Sequence, residues 1–231
     1  MNQYGFDGLE QKIGYIYKDK KLLRQAMTHT SFANEQKMNK LKSYERIEFL
    51  GDAILEMVSS EFFYFTYPDL PEGKLTQMRA SSVCEQALAI TARDLSLGSY
   101  MLLGKGELTG GRDRDSIIAD GVEAIIGSIY LDGGLASAKD FILTHVLNDL
   151  EKKQLFYDAK SILQEKVQIG HLGNLSYKLI AEDGPDHAKH FAVEAWLDDT
   201  RIGSGEGHSK KLAEQHAAYQ ALLQMQAQET N

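Results

Sequence analysis

The sequence predicts an all-α domain over residues 1–150, followed by a small α+β domain with the element order α-β-β-β-α over residues 158–227. As far as about Leu150, apolar residues recur at three- and four-residue steps, the period of a helix that buries one face. Beyond that point they alternate with polar residues in three short segments, the period of a strand. The 231 residues are 43% hydrophobic and 25% charged, a balance typical of globular domains.

The first domain is predicted to contain about seven helices. The helical period is clearest in four stretches: Leu22 to Met27, Ile47 to Val58, Val83 to Thr91 and Ile118 to Ile129. Proline, glycine and aspartate fall between these stretches and predict turns at 68–73, at Gly98, at 104–111 and at 132–134.

Residues 151–157 are predicted to be a polar linker, after which the second domain begins. Its first helix is expected from Ser161 to Ile169, with Ser161 as the cap and Gly170 at the end. Three strands are expected around 175–179, 191–195 and 200–205, and a last helix from Ser209 to about Gln226. On that helix, Ala213, Ala217 and Ala221 form a stripe of small residues that favours close packing on the sheet.

The composition indicates the cellular compartment of the protein more clearly than its binding partners. The single cysteine, Cys84, cannot form an intramolecular disulfide, the first residues lack the pattern of a signal peptide, and no apolar run is long enough to cross a membrane. These features predict a soluble, cytoplasmic protein. The net charge is −8 and neither half is basic, so any contact with nucleic acid has to come from local clusters.

The most informative segment lies between Tyr44 and Met57. At 100° per residue, four acids fall within roughly an 80° arc of one helix: Glu45, Glu48, Asp52 and Glu56. Such an arc is usually a solvated face. Here two pairs of like charges are spaced four residues apart with no Lys or Arg on the stripe, and each pair costs about 0.2–0.5 kcal/mol. The pattern therefore suggests a bound cation without proving one.

A second helix carries Asp120 and Glu123 one turn apart, opposite a buried stripe. Gly121 and Gly127 lie beside them, although glycine costs roughly 1 kcal/mol in a helix relative to alanine. They indicate close approach either by another helix or by a ligand, and the residues do not decide between the two. If the acidic faces of both helices meet, Glu48, Asp52, Asp120 and Glu123 form an all-oxygen cluster. Such a cluster suits Mg²⁺ or Mn²⁺ and not zinc.

These residues resemble the signature of the ribonuclease III family of double-stranded RNA endonucleases. The resemblance begins with the octapeptide from Glu45 to Asp52 and continues, in order, over nearly the whole chain. The further matching segments are 28–35, 71–73, 78–80, 110–112, 116–120, 123–127 and 130–134.

The resemblance implies that Glu48, Asp52, Asp120 and Glu123 hold the catalytic Mg²⁺, with Mn²⁺ as a substitute. The losses that would harm cleavage most are those of Asp52 and Glu123. Glu45 and Glu72 match acidic positions that support the site or the dimer, because family members are homodimers that cut one strand per subunit. Phe49, at the border of the acidic face, is an interface candidate, although a neighbouring helix of the same subunit could also cover it.

The second domain resembles the double-stranded RNA-binding domain. Lys210 and Lys211 lie in a first helical turn, where the helix dipole favours acids, and this placement makes sense if phosphates approach there. The resemblance implies phosphate contacts from these lysines and from the amide of Ser209. It also implies minor-groove contacts from three residues: Gln164, Glu165 and His187.

The sequence as a whole predicts a Mg²⁺-dependent endoribonuclease that needs no small-molecule cofactor. It would cleave duplex RNA to 5′-phosphate and 3′-hydroxyl ends, and by resemblance to bacterial members it would process precursors of ribosomal RNA and some messenger and transfer RNAs. One alternative is a binding protein that has lost cleavage, but all four carboxylates are present. A hydrolase of small phosphate esters would not need an RNA-binding domain. Gly121 and Cys84 depart from the residues commonest in the family.

Overall fold

The computed structural model describes residues 5–148, 150, 158–184 and 189–229. The chain divides into two compact units, residues 1–150 and 151–231. The predicted linker at 151–157 and His187 lie outside the described residues. None of the described helices combines the length and the apolar character that a membrane span needs.

The first unit is helical, as predicted. Its helices are α1 (Asp7–Ile13), α2 (Lys20–Ala26), α3 (Thr30–Glu35), α4 (Glu45–Thr66), α5 (Glu72–Val83), α6 (Glu85–Asp94) and α7 (Asp115–Phe141). A π-helical turn, Ile142–Val146, continues α7. The long helices α4 and α7 bury their apolar residues in one core that also takes in α2 and α6.

Helix α7 is buried on most sides, because small and branched residues alternate along it. Ile118, Val122 and Ile125 are fully or almost fully buried, and so are Gly121 and Ala124 between them. The helix therefore runs through the middle of the unit and not along its surface as a one-faced amphipathic helix would. Its only half-buried positions between 117 and 129 are the two acids, Asp120 and Glu123.

Three local expectations for this unit are modified by the structure. Met57, predicted to face the core, is about half exposed. Cys84, predicted within a helix, is extended and separates α5 from α6. The turn predicted at 132–134 is a break inside α7, where Gly134 has φ 80°. Beside it, Asp132 accepts hydrogen bonds from the backbone N–H of Lys18 and of Asp19, both at 2.8 Å.

The second unit has the predicted α-β-β-β-α order. Helix α8 (Ala159–Ile169) precedes an antiparallel sheet of β1 (Leu175–Asp183), β2 (His190–Leu197) and β3 (Thr200–Gly207), and helix α9 (Lys210–Glu229) follows it. Helix α8 begins two residues before Ser161, which therefore does not cap it. Gly170 follows its last residue as predicted. Leu163 and Val167 of α8 pack with Ala218 and Leu222 of α9 in a small core.

The alanine stripe of α9 packs on glycines of β3, as the sequence predicts. Ala213, Ala217 and Ala221 are fully buried. A Cβ atom added at Gly203 would overlap the carbonyl oxygen of Ala217, and one added at Gly205 would overlap backbone atoms of Ala213 and Ala217. Glycines two residues apart on the strand thus face alanines four residues apart on the helix, which lets the two backbones approach closely.

Candidate active site and RNA interface

The acidic faces of α4 and α7 meet because two glycines let the helices pack backbone to backbone. A Cβ atom added at Gly51 would overlap the carbonyl oxygen of Glu123 and lie 3.0 Å from the amide of Gly127. One added at Gly127 would overlap the carbonyl oxygen of Ile47. For Gly127, helix packing is therefore the reason for the glycine.

This contact brings together the four predicted carboxylates. Glu48 and Asp52 come from α4, and Asp120 and Glu123 come from α7. Burial, followed by the negative charges of Asp52, Glu48 and Asp120, raises the pKa of Glu123 to about 8. Glu123 therefore lies within electrostatic reach of the other three acids, and the largest contributions to its pKa from the described residues include no positive side chain.

Glu48, on α4, also has a raised pKa. Burial raises its pKa to about 7, and the charges of Asp120, Glu45 and Asp52 contribute in the same direction. Two glutamates that hold their protons near neutral pH are a sign of like charges held together by the fold. Perturbed acids of this kind cluster at functional sites.

Asp120 is the acid of the four that has a defined partner. The hydroxyl of Tyr44 donates a hydrogen bond to Asp120 Oδ2 at 3.0 Å. Burial raises the pKa of Asp120, whereas this hydrogen bond and the nearby His29 lower it. His29 is itself held, because its Nδ1 accepts from the amide of Ser31 at 3.1 Å and it caps α3.

The remaining acids of the predicted arc lie at the edge of the cluster. Glu56 forms an ion pair with Arg79 of α5 at 2.9 Å, so the stripe that lacks a cation on its own helix receives one from another. Glu45 is exposed and adds to the negative charge felt by Glu48. Glu72 is exposed at the start of α5, where its carboxylate accepts a hydrogen bond from Thr76 at 2.9 Å.

The donor set fits a hard divalent cation. All four converging groups are carboxylates, which Mg²⁺ and Mn²⁺ prefer. Within the described residues, no three Asp, Glu, His or Cys side chains already stand close enough to enclose an ion as they are oriented. Small side-chain rotations would be needed, and a cation would remove the repulsion that raises the pKa values of Glu48 and Glu123.

Two features near the cluster have structural explanations. Gly121 faces Leu97 and Met101, to which an added Cβ would lie at 3.1 and 3.2 Å, so its small size serves core packing. In the loop before α7, Arg112 donates to the carbonyls of Gly98 and Met101 at 2.7 and 3.2 Å. The neighbouring Arg114 forms an ion pair with Glu107 at 3.0 Å.

Phe49 is the most exposed large apolar side chain of the described residues, with 79% of its surface accessible. None of the described helices of this unit covers it. Met57 lies two turns further along the same face of α4 and is 49% exposed. The two define an apolar stripe beside the acidic cluster.

In the second unit, the predicted RNA-binding residues that the structure describes lie on the surface. Gln164 and Glu165 are exposed on α8, and Lys210 and Lys211 are exposed in the first turn of α9. Ser209 Oγ accepts a hydrogen bond from the amide of Leu212 at 3.2 Å, so this serine caps α9. His187 is not among the described residues.

Sequence reasoning missed two residues that shape the site. Tyr44 precedes the acidic octapeptide and Arg79 lies in the matching segment 78–80, but the sequence predicts a role for neither. Their partners, Asp120 and Glu56, lie on other helices. No spacing along the chain indicates these pairs, since each depends on how two helices pack.

The helical unit with its cluster of acids and the α-β-β-β-α unit each match a family of known proteins. A family model described as Ribonuclease-III-like matches residues 19–150, and a model described as a double-stranded RNA binding motif matches residues 159–225. Together they cover both compact units.

Whole-length relatives agree with the two family models. The chain is 47% identical to Ribonuclease 3 of Caldanaerobacter subterraneus over 221 residues, which is 94% of this chain and 96% of that protein. It is 48% identical to Ribonuclease 3 of Natranaerobius thermophilus, over 94% of this chain and 95% of that protein. The chain therefore belongs to the ribonuclease III family and is an endoribonuclease of that type.

A solved structure matches the first unit. The nuclease domain of ribonuclease III from Campylobacter jejuni has a TM-score of 0.57 and 39% sequence identity, and the match covers 62% of this chain and 96% of that domain. That work describes flexibility in a region involved in dimer formation of the C. jejuni domain.

Proposed function

We propose that Glu48, Asp52, Asp120 and Glu123 hold a catalytic Mg²⁺, for which Mn²⁺ can substitute, and that the protein hydrolyses phosphodiester bonds of double-stranded RNA. The products would carry 5′-phosphate and 3′-hydroxyl ends. The observation that supports this proposal is the convergence of four carboxylates from α4 and α7, with the pKa values of two of them raised to about 7 and about 8.

The residues have distinct tasks in this proposal. Glu48, Asp52, Asp120 and Glu123 would hold the divalent ion, which would lower the pKa of a bound water and offset negative charge on the phosphate. Asp52 and Glu123 are the acids whose loss should harm cleavage most, and the charge of Asp52 contributes most, after burial, to the raised pKa of Glu123. Glu48 and Asp120 complete the oxygen donors. Glu45 and Glu72 would support the site or the dimer.

We further propose a homodimer with one active centre in each subunit, each cutting one strand. Phe49 and Met57 support this assembly, because an apolar stripe with 79% and 49% exposed side chains on one helix face is typical of an interface. The stripe lies on α4, the helix that also carries Glu48 and Asp52, so dimerisation and catalysis would share one element.

For RNA binding, Lys210, Lys211 and the amide of Ser209 would contact phosphates, while Gln164, Glu165 and His187 would contact the minor groove. The exposed lysines at a capped helix N-terminus support the phosphate contacts. Domains of this kind read the shape of A-form RNA over about 16 base pairs with little sequence preference. Duplex regions of precursor ribosomal RNA and of some messenger and transfer RNAs, in the cytoplasm, are the proposed substrates.

The test is cleavage of a labelled perfect RNA duplex, in Mg²⁺ and in EDTA, by the protein, by Glu123→Ala and by Glu56→Gln. Glu56 is a matched control, because it lies on the same acidic arc but is paired with Arg79. We expect EDTA to abolish cleavage, and Glu123→Ala to reduce it by more than about 100-fold, the upper end of what an outer-shell change produces. Glu56→Gln should lose less than about tenfold.

Two results would contradict the proposal in different ways. Duplex binding without cleavage under any divalent ion would indicate a protein that only binds RNA. If Glu123→Ala and Glu56→Gln reduce duplex cleavage equally, Glu123 matters no more than an acid outside the proposed metal site. The assignment of Glu123 as a catalytic acid would then be wrong.

A further inference from the structure

Tyr44 connects three elements next to the acidic cluster. Its backbone N–H donates to the carbonyl oxygen of Thr28 at 2.9 Å. Its own carbonyl accepts from the amides of Ile47 and Glu48 at 2.8 and 2.9 Å, which starts α4. The side chain is only 4% exposed, so the ring has little freedom to change its rotamer.

The buried ring aims its hydroxyl at α7. It donates to Asp120 Oδ2 at 3.0 Å, across 76 positions of sequence. On its other side the ring lies against His29, with centroids 5.4 Å apart. His29 is held by Ser31, whose Oγ lies 2.7 Å from His29 Nδ1. The donor is therefore fixed by packing before any ligand binds.

Asp120 differs in this respect from the other three acids. Across the described part of the chain, no side chain donates a hydrogen bond to Glu48, Asp52 or Glu123, whereas Asp120 Oδ2 receives the one from Tyr44. Asp120 still has Oδ1 for another partner. One acid of the cluster is thus oriented by the protein, and three are left to orient on what binds between them.

We propose that Tyr44 is a positioning residue that holds Asp120 in the orientation in which it binds the divalent ion. This inference rests on the proposed metal site. Four like charges repel each other, and a carboxylate with two rotatable bonds can turn away from its neighbours. A neutral phenol that donates to one oxygen opposes that rotation without competing for the ion, as outer-shell partners of metal ligands do.

The test is Mn²⁺ binding to the RNA-free protein, measured by the electron paramagnetic resonance signal of free Mn²⁺. Tyr44→Phe removes one oxygen and keeps the ring. We expect it to weaken Mn²⁺ binding about tenfold, within the range for outer-shell changes. Duplex cleavage should fall at low Mg²⁺ and recover as Mg²⁺ is raised.

Tyr15→Phe is the matched control. Tyr15 also donates from its hydroxyl to an aspartate of α7, Asp132 Oδ2, at 2.8 Å, but Asp132 is outside the acidic cluster. We expect this variant to bind Mn²⁺ as the unchanged protein does. Melting temperatures of both variants separate the effects, since a purely structural role would lower stability in each and leave metal affinity unchanged.

Asp120→Asn distinguishes failure of this inference from failure of the metal site. If Asp120→Asn weakens Mn²⁺ binding and Tyr44→Phe does not, the metal site stands and the role of Tyr44 is wrong. If neither variant weakens binding, the assignment of Asp120 as a ligand is wrong as well. In the double variant, Tyr44→Phe should add nothing to Asp120→Asn, and a further loss there would overturn the inference.

Discussion

Both units use glycines to bring two elements into close contact, but charged residues meet at the first contact and uncharged residues meet at the second. In the first, Gly51 and Gly127 let α4 approach α7; in the second, Gly203 and Gly205 let α9 approach β3. The first contact forces acids together and raises the pKa values of Glu48 and Glu123 to about 7 and about 8. The second contact buries Ala213, Ala217 and Ala221, which carry no charge, beside the glycines.

Charges in the second unit are largely paired or exposed. Described ion pairs join Lys160 to Glu214 at 2.5 Å and Arg201 to Glu194 at 3.0 Å, while Lys210 and Lys211 are exposed on the first turn of α9. The comparison teaches that a cluster of carboxylates works against the fold that brings it together, because burial and like charges both disfavour the ionised forms. Exposed lysines at the start of a helix create no such conflict, because water solvates their charges.

The largest expected effect comes from replacing one contact glycine by alanine in each unit separately. Gly51→Ala should destabilise the first unit by about 3 kcal/mol or more, since the new Cβ overlaps a backbone oxygen that cannot move alone. Gly205→Ala should act similarly on the second unit. Hydrogen exchange read by mass spectrometry assigns each loss to its unit.

Gly73→Ala is the control for these variants, because an added Cβ there meets nothing within 4 Å. It should be neutral or stabilise by about 0.4–1 kcal/mol. Equal destabilisation of both units by Gly51→Ala would show that the two units do not unfold independently, and unchanged stability would show that α4 and α7 tolerate separation.

A smaller effect tests the exposed charges of the second unit. The double variant Lys210→Ala, Lys211→Ala should weaken duplex binding roughly tenfold. It should also reduce the slope of log affinity against log salt concentration by about 2, because each phosphate contact contributes roughly 1 to that slope. The measurement is RNA affinity over a range of salt concentrations.

Removing Lys178 and Lys189 instead provides the control, since it takes the same charge from elsewhere in the unit. Lys178 on β1 lies over the ring of Trp196, and Lys189, just before β2, pairs with Glu182. That variant should keep the salt slope. If both double variants lower the slope equally, binding depends on overall charge and not on the start of α9.

The smallest expected effect is a pH dependence of stability in the absence of divalent ions. Glu48 and Glu123 hold their protons more tightly in the folded chain than in the unfolded chain, since their pKa values are raised by burial and by like charges. The free energy of unfolding should therefore fall as pH rises from about 4.5 through about 8.

Thermal melts in EDTA across this range should show the first unit losing a few degrees of stability, and Glu123→Gln should flatten the slope. Added Mg²⁺ should flatten it too, by compensating the ionised carboxylates. A first unit that becomes more stable as pH rises would contradict the raised pKa values of Glu48 and Glu123.

The sequence alone determined the class of each unit and the identity of the four acids. Helical and strand periods are local properties, and they predicted the all-α unit, the α-β-β-β-α order and the faces that carry Glu48, Asp52, Asp120 and Glu123. The sequence also predicted the stripe of alanines in α9, because residues spaced four positions apart lie on the same face of a helix.

Only the tertiary structure decided which of these groups have partners. Arg79 neutralises Glu56 from another helix, Tyr44 orients Asp120 from 76 positions away, and Gly121 faces Leu97 and Met101 in the core. Such pairings depend on the angle and separation at which elements pack. That geometry depends on contacts between residues that are far apart in the sequence. The spacing of residues within one element does not predict it.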